Sequence, residues 1–149
     1  MDGGRKLGRL MKVISSAYDA TKNELLEQYG LTSRQVDLLG FLRECDGHEA
    51  TQKEITQYLH VSYATSSGII RRLVEKGFVE RTTCKQDKRS NSIRLADEAL
   101  GTVDESVRQF KNMDELVMAG FSKQDKEQLM SLLERLLANA EAIKGSRTN

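Results

Sequence analysis

Apolar residues recur at helical spacing along most of the chain. Between Leu7 and Tyr29 they fall three or four positions apart, as on one face of a helix. Gly30 follows, and glycine is a common residue at the end of a helix. Later segments with the same period open at residues that can cap a helix, namely Thr32, Thr51, Ser62, Asp97 and Ser122. The pattern therefore predicts a mainly α protein.

The period changes after Gly77. Residues 78–83 are β-prone, and Ile93-Arg94-Leu95 alternates apolar with charged side chains. The polar stretch 85–91 between them predicts a hairpin with a long tip. The predicted elements follow the order of a winged helix-turn-helix with a two-stranded β-wing, which is helix, helix, tight turn, helix and hairpin.

This order divides the chain into three parts. We expect an N-terminal dimerisation helix over residues 5–30, a winged helix-turn-helix DNA-binding module over 31–96, and C-terminal dimerisation helices over 97–144, joined in one intertwined domain. The outer helices carry apolar stripes that a second chain would bury favourably. The stripes contain Leu10, Ile14 and Tyr18 in the first helix and Leu129, Leu133, Leu136 and Leu137 in the last. The alternative is that these helices fold back on their own module.

Composition narrows the class of protein. The chain has 149 residues and no proline, where average usage predicts about seven. No apolar run approaches the roughly 20 residues of a membrane span, and the polar, glycine-rich start lacks the apolar centre of a secretion signal. We therefore expect a soluble, cytoplasmic protein with no membrane partner.

Positive charge is concentrated in one segment. The whole chain has a formal net charge of only +1. Residues 71–94 contain eight basic and three acidic residues, a net charge of +5, so the remainder carries −4. Such a segment suits the phosphates of double-stranded DNA.

The helix that opens near Ser62 has the composition of a DNA-recognition helix. Its start is rich in hydroxyl groups, which approach phosphates and base edges closely, and an arginine follows. The candidate DNA-binding residues of this helix are Ser62, Tyr63, Thr65, Ser66, Ser67 and Arg71. The alternative is that the hydroxyl groups merely face solvent.

The tip of the hairpin supplies further candidates. Lys88 and Arg89 are cations that can enter a narrow minor groove, and Lys85 is a further candidate DNA-binding residue. Asp87 would be repelled by DNA, and we expect it to pair with Arg72 and support the wing. The alternative is a solvated tip without function.

Several of these segments carry a family resemblance. They are Leu31-Thr32 with Leu38-Leu39, Thr51-Gln52 with Ile55 and Leu59, the run from Arg72 to Arg81, and Asp87-x-Arg89 followed by Ile93-Arg94-Leu95. Together they resemble the MarR (multiple antibiotic resistance regulator) family of bacterial transcriptional regulators, over nearly the whole chain. Ala96 and Ala99 depart from it, because the family commonly has threonine and glycine there, and we expect Asp97 to cap the next helix instead.

The resemblance implies a homodimer on a palindromic operator. The two recognition helices would enter successive major grooves, and Arg89 would lie in the minor groove with Asp87 and Arg72 as its support. Repression is the usual outcome in the family. Relatives often release DNA in response to a small aromatic acid, a metal or an oxidant.

The effector itself is open. A small organic effector is possible: Tyr18, Tyr29 and Phe110 either line a pocket for a small organic acid or belong to the core. We expect no cofactor and no bound metal. His48 with Glu44, Glu49 and Cys45 has no diagnostic metal spacing, and a flexible polar loop explains His48 better.

Redox control is a further hypothesis. Cys84 lies beside Lys85, where positive charge favours the thiolate, so oxidation there would weaken DNA binding. The alternative is an inert strand cysteine. The sequence does not decide whether Cys45 or Cys84 is redox-active.

An enzyme and a protein-interaction adaptor are the alternatives to a DNA-binding protein. An enzyme is not expected, because the sequence has no glycine-rich phosphate loop, no Ser-His-Asp set and no metal-ligand motif. A winged-helix protein-interaction adaptor without DNA binding is the remaining alternative. It would not need the basic residues Lys85, Lys88 and Arg89.

Overall fold

The computed structural model describes residues 3–83 and 91–147 and is mainly helical, as predicted. Its helices are α1 (Gly3–Leu26), α2 (Ser33–Glu44), α3 (Gln52–Leu59), α4 (Tyr63–Glu75), α5 (Leu100–Val117) and α6 (Lys123–Ser146). Its strands are β1 (Glu49–Thr51), β2 (Val79–Thr83) and β3 (Asn91–Leu95). Short 3₁₀ turns cover Glu27–Tyr29, Asp46–His48 and Asp97–Ala99.

Hydroxyl caps start four of the helices, as the sequence predicts. Thr32, Thr51 and Ser122 each accept a hydrogen bond from the backbone N–H three residues later, and the side chain at that later position accepts one from the cap residue in return. Ser62 caps α4 in the same way without the return bond. The prediction for Asp97 is wrong. Asp97 begins a 3₁₀ turn that has no side-chain cap, and α5 starts at Leu100.

Gly77 ends α4 and turns the chain directly into the sheet. Its φ of +79° lies in the left-handed region that favours glycine. The Phe78 N–H donates to the Leu73 carbonyl (2.9 Å) and the Gly77 N–H to the Val74 carbonyl (3.0 Å). These two bonds form a Schellman motif, and β2 follows two residues later.

The sheet has three antiparallel strands among the described residues, in the order β1-β3-β2. The predicted hairpin is present, with Val79 opposite Leu95 and Arg81 opposite Ile93. Strand β1, which pairs with β3, was not predicted from the sequence. Three residues are too short to show an alternating pattern.

His48, which precedes β1, is held in place. Its Nδ1 lies 3.1 Å from the Arg43 carbonyl oxygen, and its Nε2 lies 3.1 Å from the Arg43 guanidinium. Arg43 also donates to Asp104 on α5 at 2.8 Å. The interpretation of His48 as part of a flexible loop is therefore wrong.

The core lies between α2, α3, α4 and the sheet. Its large side chains are fully buried and come from every one of these elements: Leu38, Leu39 and Leu42 from α2, Ile55 from α3, Ile70 and Leu73 from α4, and Ile93 and Leu95 from β3. Leu26 of α1 and Val103 of α5 join them. One face of α4 is thus buried along the length of the helix.

The chain forms two compact units, one up to Lys111 and one from Asn112. Each unit leaves large apolar side chains exposed. In the first unit, Leu10 and Ile14 of α1 are 58% and 57% exposed. In the second, the exposed large apolar residues of α6 are Met130, Leu132, Leu133, Leu137 and Ile143. Across residues 3–83 and 91–147, no helix is both long and apolar enough to cross a membrane.

Candidate DNA-recognition surface

The first turn of α4 presents polar groups to solvent. Ser62 Oγ accepts from the Thr65 N–H at 3.1 Å and donates to Thr65 Oγ1 at 2.9 Å. Tyr63 is 64% exposed, and Thr65 is exposed as well. These three predicted residues therefore share one accessible edge at the N-terminus of the helix.

Ser66 lies on the opposite face and is fully buried. Its Oγ is 2.9 Å from the Tyr63 carbonyl oxygen and 2.6 Å from Thr56 Oγ1 on α3. The prediction that Ser66 contacts DNA is corrected, since its hydroxyl is enclosed. Positions 66, 69, 70 and 73 have helical spacing, and this pattern would have assigned Ser66 to the inner face.

Ser67 is half-buried and contacts α3 through its hydroxyl. Gln52 Nε2 donates to Ser67 Oγ at 2.6 Å, and Gln52 itself is only 7% exposed. With the Thr56–Ser66 contact, this gives two polar links between the helices of the helix-turn-helix. The sequence analysis missed Gln52 and Thr56 as residues that orient the recognition helix.

Arg71 and Arg72 lie exposed further along α4. Arg72 lines an open pocket together with Asp19 of α1 and Arg34 of α2. Its predicted partner Asp87 lies outside the described residues. So do Lys85, Lys88, Arg89 and Cys84, and the predictions for these four residues stay predictions.

A shallow depression adjoins the start of α4. It is lined by Lys53 from the first turn of α3, Tyr63 from α4 and Asn91 from β3, among others. Lys53 and Asn91 are exposed and were not recognised from sequence. Their approach to Tyr63 depends on the packing of three elements, so no local pattern could have shown it.

The recognition helix is also linked at its other end to the corner between α1 and α2. Lys76, which directly follows α4, donates to the Gly30 carbonyl and to Gln35 Oε1 (3.3 Å). Gln35 Oε1 in turn accepts from the Thr32 N–H at 3.0 Å. Both ends of α4 are therefore held by polar contacts from other helices.

Two of the three candidate effector aromatics meet around a lysine. Lys22 Nζ lies 4.1 Å from the centre of the Tyr18 ring and 4.0 Å from the centre of the Phe110 ring. Tyr29 packs against the core instead. Burial raises the pKa of Asp37, and the positive charge of Lys22 counteracts part of this increase. Burial lowers the pKa of Lys22.

Cys45 is a half-buried free cysteine. Burial, followed by the charges of Glu54, Asp46 and Glu44, raises the pKa of its thiol. A raised pKa disfavours the reactive thiolate form of Cys45. In the described part of the chain, no group of three or more His, Cys, Asp or Glu residues could hold a metal ion.

The sequence matches known regulators. A family model described as MarR family matches residues 29–90. The protein named uncharacterized HTH-type transcriptional regulator YwoH, of Bacillus subtilis, is 36% identical over 115 residues, which cover 77% of this chain and 82% of YwoH. The HTH-type transcriptional regulator PecS of Dickeya dadantii is 27% identical over 131 residues, covering 87% of this chain and 78% of PecS.

The fold matches a solved structure of a protein bound to DNA. The structure is that of the Staphylococcus aureus MepR–DNA complex, with a TM-score of 0.82 and 26% sequence identity. The similarity covers 89% of this chain and 96% of MepR. The names of both sequence relatives describe transcriptional regulators.

Proposed function

This chain belongs to the MarR family of transcriptional regulators, and we propose that it recognises double-stranded DNA through the exposed edge of α4 and the wing. It is a DNA-binding regulator that acts by binding rather than by catalysis. A regulator of this family acts where the DNA is, so the proposal places it in the cytoplasm.

The two-sided character of α4 carries the proposal. Ser66, Ile69, Ile70 and Leu73 are buried against the core, so the rigid module fixes the orientation of the helix. The opposite edge carries Ser62, Tyr63 and Thr65 at the end of the helix where backbone N–H groups point outward. Such an edge offers both hydrogen bonds to bases and a positive potential for phosphates.

The basic residues supply the electrostatic part of binding. Arg71, one turn beyond Ser67, would contact a phosphate or a guanine edge, and Lys53 would extend the phosphate contacts on α3. Lys85, Lys88 and Arg89 of the wing would lie along the minor groove, with Arg72 and Asp87 as their support. Ser67, which is bonded to Gln52, would act mainly by orienting α4.

A homodimer completes the proposed function. MarR-family members act as dimers and respond to ligands, and we assign dimerisation to the helices within residues 5–30 and 97–144. A two-fold dimer would set two recognition helices about 34–36 Å apart and select a palindromic operator. Repression follows if this operator overlaps a promoter.

Selection of bound duplexes from a random pool tests the proposal. We expect a palindrome with half-site centres about one helical turn apart, and an affinity that falls steeply as salt rises. Binding that is indifferent to nucleotide sequence at moderate salt would contradict sequence-specific recognition. Absence of any salt-dependent DNA binding would favour the adaptor alternative.

Charge-matched variants locate the surface. Arg71→Ala should weaken binding to the selected duplex about tenfold or more. Arg108→Ala removes the same charge from an exposed position on α5 and should leave affinity unchanged. Arg89→Ala should abolish most of the affinity while the dimer stays intact. Wild-type affinity in both Arg71→Ala and Arg89→Ala would refute the assigned surface.

A further inference from the structure

A side-chain hydrogen bond joins the two outer strands of the sheet across the strand between them. Thr82 Oγ1 on β2 donates to Glu49 Oε1 on β1 at 2.6 Å, and both side chains are half-buried. The strand order is β1-β3-β2, so the backbones of these two strands are not paired. An O–H···O⁻ distance of about 2.5–2.7 Å is typical of a charge-assisted bond to an ionised carboxylate. The Glu49–Thr82 bond is therefore a strong link between strands that the backbone does not join.

The Glu49–Thr82 bond lies on the outer face of the sheet. Ile93 of β3 is fully buried in the core, so its neighbours Ser92 and Arg94 point to the other face. In the strand register Glu49 lies opposite Arg94. Thr82 lies opposite Ser92, so the bond crosses β3 diagonally. Ser92 is only 1% exposed, which shows that the outer face is covered at the level of the bond.

The bond is placed near the end of the hairpin that leads into the tip of the wing. β1 pairs with β3 over three residues and ends with Thr51 opposite Ser92. β2 and β3 continue for one further pair, Thr83 opposite Asn91, and residues 84–90 join their ends. A two-stranded ribbon twists more strongly than a wider sheet and is only marginally stable alone. A bond from β1 to β2 at this level therefore fixes the direction in which the hairpin leaves the sheet.

The charge of Glu49 is the opposite of what DNA attracts. A carboxylate in the sheet that carries the wing repels phosphates. Arg94, the cross-strand neighbour of Glu49, offsets this charge in part and pairs with Glu80 at 3.1 Å. Glu80 thus links β2 to β3, which the backbone already pairs, whereas Glu49 links two strands that it does not pair. This difference indicates a mechanical role for Glu49 that its charge alone would not favour.

We propose that Glu49 and Thr82 are positioning residues for DNA recognition. Their bond across β3 sets the direction of the wing, so that the wing reaches the minor groove while α4 lies in the major groove. The proposal rests on the proposed function and adds two residues that act without touching DNA. It also gives a role to β1, since this short strand carries the acceptor of the bond.

Fluorescence anisotropy with the selected duplex tests the proposal through the donor of the bond. Thr82→Val keeps a similar shape and removes the hydroxyl group. Operator affinity should fall about tenfold, because a displaced wing loses its minor-groove contact. Thr82→Ser keeps the hydroxyl group and should bind the operator as the wild type does.

Substitution of the acceptor gives a test of sign. Loss of a carboxylate by itself favours binding to DNA, yet Glu49→Ala should weaken operator binding because the wing loses its support. Glu80→Ala is the matched control, since it removes a carboxylate from the same sheet and leaves the Glu49–Thr82 bond intact. It should not weaken binding.

A double-mutant cycle separates positioning of the wing from a general loss of stability. It is measured at low salt, where weak complexes with DNA persist. In the Arg89→Ala background, which lacks the minor-groove contact, Thr82→Val should cause no further loss of affinity. In the Arg71→Ala background, which changes only α4, the tenfold loss should remain. Thermal unfolding identifies any variant that fails to fold, and Glu49→Ala keeps the test decisive if Thr82→Val does not fold.

Hydrogen exchange reports on the bond in the absence of DNA. The backbone amides of residues 79–83 should exchange faster in Thr82→Val than in the wild type, and Thr82→Ser should restore the slower exchange. Faster exchange with unchanged operator affinity would limit the bond to folding and overturn its role in recognition.

Three further results would overturn the proposal. They are wild-type affinity in folded Thr82→Val or Glu49→Ala, equal losses of affinity in Thr82→Val and Thr82→Ser, and a tenfold loss that remains in the Arg89→Ala background. The proposed function is judged separately, from the wild type. Wild-type protein that binds no duplex refutes the recognition surface, whereas equal binding by the wild type and Thr82→Val refutes only the positioning role.

Discussion

Thr65 and Ser66 are neighbours in sequence that face opposite sides of the recognition helix. Thr65 is exposed, whereas the Ser66 hydroxyl is buried against Thr56. We expect Ser66→Ala to lower the free energy of unfolding by about 0.5–1.5 kcal/mol, because it removes a buried hydrogen bond to Thr56, whose hydroxyl still donates to the Gln52 carbonyl. The folded variant should bind the operator as the wild type does. Denaturant unfolding and fluorescence anisotropy with a labelled duplex measure the two quantities.

Thr65→Ala is the matched variant and should behave in the opposite way. The backbone N–H of residue 65 still donates to the Ser62 hydroxyl. The free energy of unfolding should therefore change by less than about 0.5 kcal/mol. Operator affinity should fall by about 1 kcal/mol through the lost contact. If the two variants affected stability and DNA affinity alike, the assignment of the two faces would be wrong.

Residue-scale features were predictable where their cause is local. The caps Thr32, Thr51, Ser62 and Ser122 follow from hydroxyl side chains placed directly before apolar periods. Asp97 has the same local signal, yet the chain enters α5 through a 3₁₀ turn. The burial of Ser66 was predictable from the helical spacing of positions 66, 69, 70 and 73. The burial of Gln52 depends on the packing of α3 against α4, which no local pattern reveals.

Two glycines of the α4 region should respond oppositely to one substitution. Gly77 has a φ of +79°, and nothing lies within 4 Å of an added Cβ. Gly77→Ala should therefore cost about 1 kcal/mol of stability through backbone strain alone. Gly68, inside α4, also has open space around an added Cβ, and Gly68→Ala should stabilise the protein by about 0.5–1 kcal/mol. Thermal or denaturant unfolding measures whether each substitution stabilises or destabilises the protein. If Gly77→Ala and Gly68→Ala changed stability equally, α4 would not end in a Schellman motif.

Element types were predictable because their periods extend over many residues. The helical stripes identify the long helices. The β-prone run 78–83 identifies β2, and the alternation at Ile93–Leu95 identifies β3. β1 escaped prediction because Glu49–Thr51 is a strand only through its pairing with Ser92–Arg94. The capping box at Thr51 gave a correct start for α3 and no sign of the strand that ends there.

For the whole molecule, the sequence predicted apolar stripes on the outer helices, and both units leave such side chains exposed. Leu10 and Ile14 are more than half exposed on α1, although their type favours burial. A contiguous apolar surface of this kind is typical of a site of association. The contact of Tyr18 and Phe110 with the Lys22 ammonium was not predictable in this way. Tyr18 and Phe110 are far apart in sequence, and each alone resembles a core residue.

An acidic residue on the exposed stripe of α1 should separate the dimer. Ile14→Asp places a charge where we expect a second chain, and an unpaired buried charge is strongly unfavourable. Ser16→Asp adds the same charge to an exposed position of α1 that lies well away from Ile14 around the helix, and should remain a dimer. Analytical ultracentrifugation measures the mass of each variant. Operator affinity of Ile14→Asp should fall about a hundredfold or more, because two half-sites bound by unlinked chains lose the gain of a high effective concentration. A dimeric Ile14→Asp protein would move the interface away from this stripe, whereas a monomer with full operator affinity would show that one recognition helix suffices.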